Sequence, residues 1–352
     1  MTLPYLTSEL PGIGGVLRSA DEDFVVDEEP AYLPSGAGDH VFVRIEKRGL
    51  TTPQAVRAIA AALGVPDRDV GVAGMKDRRA VTTQWLSLPP PVTPEAARAL
   101  ELPDVRILEA ARHPHKLRTG HVRANRFRIR VRSLPAGAAP ELAARASEIL
   151  DRLAAPPGAP NWYGEQRFGR DGDNAARGRE LVAGARRPGR DRRMDRLMVS
   201  ALQSELFNAW LAARVADGLY RRVLAGDVLH KRGGGLFDCT EPEVDEARLL
   251  AGEVVATGPM FGDRMRRPAG GTPAAEREAA ILDAAGLPRD GFARVRALAE
   301  GTRRDAAIPL GEPSVATADD GTLEVAFTLP GGAYATVVMR EIMKADPAGS
   351  EP

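Results

Sequence analysis

Three stretches alternate apolar and polar residues with period two, the pattern of half-buried strands. In HVFVRIEKRG (40–49), Val41, Val43 and Ile45 share one face. In GTLEVAFTLP (321–330), Leu323, Val325, Phe327 and Leu329 do the same. In NRFRIRVRSL (125–134), Phe127, Ile129 and Val131 occupy one face and Arg126, Arg128, Arg130 and Arg132 the other. A row of arginines is not core. It reads as a solvated edge strand, as a face paired with acids, or as a face turned to RNA. A further element, GVAGMKDRRAVTTQWLSL (71–88), reads as strand–turn–strand with Lys76 and Asp77 at its tip.

Helical spacing separates these strands. TTPQAVRAIAAALGV (51–65) carries Thr52 as N-cap, Pro53 at the first helical position, a stripe of Val56, Ile59, Ala60 and Leu63, and Gly64 just past the end. A longer helix runs through MDRLMVSALQSELFNAWLAARVADG (194–218), with Leu202, Leu206, Trp210 and Ala213 in line. The Pro/Gly-rich LAAPPGAPNWYG (153–164) reads as a domain crossing and GDRMRRPAGGTPAAE (262–276) as a surface loop. Strands are expected again over 321–343. With β-rich sequence at both ends and a helical middle, the chain predicts a mixed α/β domain interrupted by an inserted one.

Charge changes the picture locally rather than globally. The 48 basic and 48 acidic residues cancel, so no argument for a nucleic-acid partner comes from net charge. They are segregated, however. From Ala110 to Ser133 there are eight Lys/Arg and three His but no acid, and ARRPGRDRRMDR (185–196) is a second basic cluster. Acids gather in DEDFVVDEEP (21–30) and TEPEVDEARLLAGE (240–253). The single cysteine, Cys239, excludes an internal disulfide and a thiolate metal cluster within one chain. A reducing compartment, no signal peptide and no membrane-length apolar run lead to the expectation of a cytoplasmic protein.

Candidate chemistry is then limited. Asp77 is either a solvated turn residue or a carboxylate held for nucleophilic attack. In NWYGEQRFGRDGDN (161–174), aromatics interleave with arginines, which suits stacking on unpaired bases and contact with phosphates. The same run also suits a packed loop in which Trp162, Tyr163 and Phe168 fill core and Arg167 pairs with Glu165. His113, His115 and His121 lie close together, but cations surround them and would repel a metal. The runs GIGG and RGGGL lack the spacing of a phosphate-binding loop or dinucleotide fold.

The segment AGMKDRRAVTTQWLS resembles the active-site motif of the tRNA pseudouridine synthase D (TruD) family, in which the aspartate after Gly-x-Lys is the nucleophile. EDFVVDE, RANRFRI, NWYGEQRFGR, SALQSELFNAWL, GDVLHKRGG, GPMFG and LPGGAYATVVMREIM resemble further family stretches, in family order across nearly the whole chain. The resemblance implies an α+β fold. A pseudouridine synthase catalytic domain, a mixed and mainly antiparallel sheet with flanking helices (1–157 plus 308–352), would be interrupted by an inserted α/β TRUD domain (158–307). It implies isomerisation of uridine-13 in the D stem of tRNA after base flipping, with no cofactor and no metal. Asp77 would attack, and Phe24, Asn125, Phe127 and Tyr334 would line the uracil pocket. Tyr334 departs from the phenylalanine expected in close relatives. Supporting roles fall to Lys76, Glu28, Arg128 and Arg130, with the basic strand as an RNA wall. Two rivals stay in view: a non-catalytic tRNA-binding or RNA-chaperone module, and a carboxylate-based glycoside hydrolase in which Glu28 partners Asp77.

Overall fold

The period-two runs become strands of one sheet. The computed structural model describes residues 3–169 and 172–345. Its first part contains β1 (Phe24–Pro30), β2 (His40–Arg48), α1 (Thr52–Leu63), β3 (Gly71–Val72), β4 (Val81–Leu88), α2 (Pro94–Arg98), β5 (Val105–His113), β6 (Val122–Val131) and α3 (Ala139–Ala154). Then follow β7 (Ala159–Pro160), α4 (Asn174–Ala183), α5 (Arg192–Ala216), β8 (Val228–Lys231), β9 (Leu236–Asp238), α6 (Pro242–Leu250), β10 (Val254–Met260), α7 (Pro273–Ala284), α8 (Gly291–Arg294) and β11 (Thr302–Asp305). The chain closes with β12 (Ala307–Ile308), β13 (Gly311–Thr317), β14 (Leu323–Pro330) and α9 (Ala335–Met343).

The large sheet has the order β13-β14-β6-β1-β4-β2-β5, with β3 added to β4. Its pairs are antiparallel except β1 with β4. The fold is thus α+β with a mainly antiparallel sheet. Register puts Phe24 opposite Ile129, Val26 opposite Phe127 and Glu28 opposite Asn125. It also puts Val26 beside Thr82 and Thr82 opposite Lys47. Directly opposed residues share a face, so Phe24, Val26, Glu28, Asn125, Phe127 and Lys47 all lie on one side. On that side α3 and α9 pack against β6 and β14, and α1 packs against β2 and β4.

Three expectations are corrected. β6 is an interior strand between β1 and β14, not an edge. Its arginine row is partly acid-paired: Arg126 lies 3.6 Å from Glu312 and Arg132 lies 2.7 Å from Asp23. The cap of α1 is Thr51, whose hydroxyl accepts from the Gln54 amide, with Gln54 returning the bond to the Thr51 amide at 2.8 Å. Thr52 is turned inward instead. Residues 335–343 form a helix rather than a strand, because Ala335, Val338, Met339 and Ile342 recur at helical spacing and bury one stripe in the sheet's core. That spacing outweighs the β-branched pair Val337–Val338.

The middle of the chain builds a separate four-stranded sheet, β11-β10-β8-β9. Buried Phe207 and Trp210 of α5 pack with Trp162 and Val254–Ala256. β7 and β12, where the chain leaves and re-enters the large sheet's part, pair with each other (Ala307 with Pro160). Helix α9 faces both cores, Val338 in one and Val337 in the other. Among the described residues, no helix is long and apolar enough to cross a membrane.

Candidate active site

The loop between β3 and β4 carries Lys76 and Asp77, and it is pinned from below. Thr52 Oγ1 accepts from the Lys76 amide at 2.9 Å and itself donates to Gln84 Oε1 at 2.9 Å. Lys47 Nζ donates to the Asp77 carbonyl at 2.7 Å and to the Leu50 carbonyl at 2.6 Å. One side of the loop backbone is therefore tied to α1 and the other to β2.

The two side chains part company. Lys76 points into the protein, its Nζ 2.7 Å from Glu28 Oε2 and donating to Asn125 Oδ1 at 2.6 Å. Glu28 Oε1 also accepts the Trp85 amide at 3.0 Å, so this carboxylate is held in the interior by an ion pair at one oxygen and a hydrogen bond at the other. Asp77 points outward to the cavity with its side chain 40% exposed, and its Oδ2 takes a hydrogen bond from Arg18 at 2.6 Å. The Arg18 guanidinium stacks 4.2 Å above the Phe24 ring centre. The cation beside Asp77 is thus Arg18, not its neighbour in sequence.

Asp77 opens onto a cavity of about 1320 Å³. Phe24, Asn125 and Phe127 line it from the large sheet and Lys76 from the β3–β4 loop, with Trp162, Tyr163, Glu205 and Asn208 on the opposite wall. Gly331–Val337 contribute a third side. Gly332, at φ +84°, makes the turn that delivers half-buried Tyr334. Phe24 and Phe127 meet edge to face at 6.1 Å, and Phe127 also packs 5.6 Å from Phe327. Phe127 is therefore both core and cavity floor, with 7% of its surface exposed. On the opposite wall the Arg304 guanidinium covers the Tyr163 ring at 3.9 Å, and burial lowers the Arg304 pKa.

Most of the residues singled out in the sequence converge. Asp77, Phe24, Asn125, Phe127, Tyr334 and Lys76 all line the cavity, with Glu28 beneath it. Arg128 and Arg130 do not come together with them. Their register, opposite Ala326 and Glu324, turns them to the far face of the sheet. Trp162 is 1% exposed, as a packed loop requires, and Arg167 donates to Ser204 at 3.0 Å and to Ser200. The Glu165 side chain and Arg170 lie outside the described residues. The histidines have aromatic and hydroxyl partners: His113 stacks on Tyr32 at 5.2 Å, and Tyr32 Oη lies 2.7 Å from His121 Nδ1. Burial and the neighbouring His115 and His40 lower the His113 pKa. Among the described residues no three His, Cys, Asp or Glu side chains group as metal ligands.

Three contributors escape a reading of the sequence: Arg18, Lys47 and Thr52. Lys47 leaves a signal, since it follows Val41, Val43 and Ile45 on the apolar face of its strand. Arg18 leaves none. It meets Asp77 only through the fold.

The family model described as tRNA pseudouridine synthase D (TruD) matches residues 1–187 and 190–342. A protein of Anaeromyxobacter dehalogenans (strain 2CP-1) named tRNA pseudouridine synthase D is 53% identical over 350 residues, covering 98% of this chain and 97% of that one. A Thermus thermophilus protein with the same name is 43% identical over 344 residues, covering 97% and 92%. The fold matches the crystal structure of a Methanosarcina mazei protein assigned by name to the same family, at TM-score 0.82 and 23% identity, covering 98% of this chain and 96% of that one. The chain belongs to the tRNA pseudouridine synthase D (TruD) family.

Proposed function

We propose that this protein is a tRNA pseudouridine synthase that isomerises uridine-13 in the D stem, with Asp77 as the nucleophile. Family membership supports the activity and the tRNA partner. The observation that carries the role of Asp77 is its placement at the mouth of a cavity floored by Phe24 and Phe127, with Arg18 against its carboxylate. The position within tRNA rests on the family resemblance of the motifs.

The chemistry follows from these parts. A base within a stem must be extruded before it can be reached, at a cost of a few kcal/mol. Stacking on aromatic faces offsets roughly 1–3 kcal/mol per base, which is the role given to Phe127 and Tyr334, while Phe24, its ring covered by Arg18, closes the floor beneath them. At about 1320 Å³ the cavity exceeds the roughly 300–1,000 Å³ of ordinary small-molecule sites, leaving space for the backbone on either side of the everted uridine. Asn125, held by Lys76, offers an amide to the uracil edge. Asp77 attacks to form a covalent adduct, the N1–C1′ bond breaks, the base turns and C5 is joined to C1′; the adduct's bond to Asp77 is released, C5 gives up its proton and N1 takes one up. The reaction rearranges one nucleotide, so it requires neither cofactor nor metal, and a tRNA partner suits a cytoplasmic location.

We further assign residues 1–157 and 308–352 to a catalytic domain and 158–307 to an inserted domain. The pairing of β7 with β12 and the confinement of the second sheet to residues between them support that division.

The test is Asp77→Asn assayed on transcribed tRNA with pseudouridine mapping. The variant should bind tRNA as the wild type does and form no pseudouridine. Full activity would overturn the nucleophile, and a product at another position would overturn uridine-13.

A further inference from the structure

We propose that Lys47 is a positioning residue for this reaction: its ammonium, sealed beneath the β3–β4 loop, holds the Asp77 main chain and thereby sets where the carboxylate stands. The inference rests on the reading of Asp77 as nucleophile.

Lys47 is 0% exposed and sits on the otherwise apolar face of β2. A buried charge is costly unless its donors are satisfied. Here two of its three donors are spent on carbonyl oxygens, those of Leu50 and Asp77. Leu50 leads into the cap of α1, and α1 in turn supplies Thr52, which accepts from the Lys76 amide. The amide of Lys76 and the carbonyl of Asp77 are thus fixed from two elements at once. With the backbone held there, Lys76 is sent inward to Glu28 and Asn125 while Asp77 is sent outward to Arg18 and the cavity.

The charged groups around Lys47 are Asp77 and Lys76 from the loop and Asp21 from the segment before β1. Burial is the largest influence and lowers the Lys47 pKa to about 8; Asp77 and Asp21 oppose it and Lys76 adds to it. Through that pH the two charge-assisted bonds become neutral ones, roughly half as strong, and a cation behind the nucleophile disappears. Global stability responds with the opposite sign. A lysine whose pKa is lowered on folding favours the native state more as pH rises from about 8 towards 10.5. An alkaline loss of activity from this group is therefore not an unfolding event.

The experiment is single-turnover pseudouridine formation at saturating tRNA, across pH about 6.5–9.5, for the wild type, Lys47→Arg and Lys47→Met, with Asp77→Asn as reference. In the wild type the rate should fall along a limb centred near pH 8 while tRNA affinity holds and the thermal midpoint does not fall with it. Lys47→Arg should remain active and lose that limb, because a guanidinium stays charged throughout. Lys47→Met should bind tRNA within about twofold and react about 10²-fold more slowly, the scale of an ångström's misplacement. A wild type with no limb, a limb that survives in either variant, or Lys47→Met at the wild-type rate would overturn the proposal. Full activity of Asp77→Asn would instead overturn the reading of the nucleophile, whatever the Lys47 variants do.

Discussion

Arg18 and Asp77, 59 positions apart in the chain, meet at 2.6 Å between a guanidinium nitrogen and Oδ2. Arg18 reaches that contact from a backbone at φ +57°, a region costing a non-glycine residue about 1 kcal/mol or more. Its ring contact with Phe24 ties the cation to the cavity floor as well as to Asp77. Arg18→Met should lower the single-turnover rate about 10²-fold with a smaller effect on tRNA affinity. Arg18→Lys should recover part of the loss, since charge returns but the planar stack does not. Equal rates for Arg18→Met and the wild type would exclude Arg18 from the site.

Lys76 is expected to act on stability. Its ion pair with Glu28 has side-chain exposures of 6% and 0%. Removing one member of such a pair leaves an uncompensated buried charge and costs about 3–5 kcal/mol. Lys76→Met should lower the denaturant midpoint accordingly, and the double variant Lys76→Met/Glu28→Gln should recover part of it. An unchanged midpoint in the single variant would contradict the pairing.

Tyr334 separates stacking from hydrogen bonding. Tyr334→Phe should retain binding and rate within about twofold, whereas Tyr334→Ala should lose about 1–3 kcal/mol of substrate binding. A large loss in Tyr334→Phe, measured by tRNA affinity, would give the hydroxyl a role that stacking does not supply.

Arg128 and Arg130 give the reverse expectation from the one their basic strand invites. On the far face of the sheet, they should not hold phosphates of RNA seated in the cavity. Arg128→Gln/Arg130→Gln should leave the rate unchanged. The slope of log affinity against log salt should move by less than about one unit, the size of a single lost phosphate contact. A flatter slope would bring RNA around to that face.

Outside the cavity lining, Arg214 and Asp227 form a two-pronged pair at 3.0 and 2.6 Å with side-chain exposures of 1% and 5%. Asp227→Ala should cost about 3–5 kcal/mol in urea unfolding. The activity of the molecules that remain folded should be unchanged.

The pattern of residues is enough to locate several strands and their buried faces. Val41, Val43 and Ile45 are fully buried, as are Ile129, Val131 and Val325. Alternation works because side chains on a strand switch faces at every residue, a purely local property. The helix over 335–343 defeats a local reading because β-branched residues suit a strand while their spacing suits a helix, and only packing against β6 and β14 settles which wins. The cap of α1 shifts by one residue for a similar reason. Both Thr51 and Thr52 can cap, and Gln84 claims Thr52 across the fold.

The candidate site divides in the same way. The chain itself determined the strand–turn–strand mount of Asp77 and the apolar face carrying Phe127, since each is a matter of neighbours a few residues apart. Tertiary structure alone decided that Arg18 and not Lys76 faces the carboxylate, that Glu28 is buried beneath, and that the arginine row turns away. Those outcomes depend on which strands pair and in what register, and register is set by summed burial over the whole sheet rather than by any segment of it.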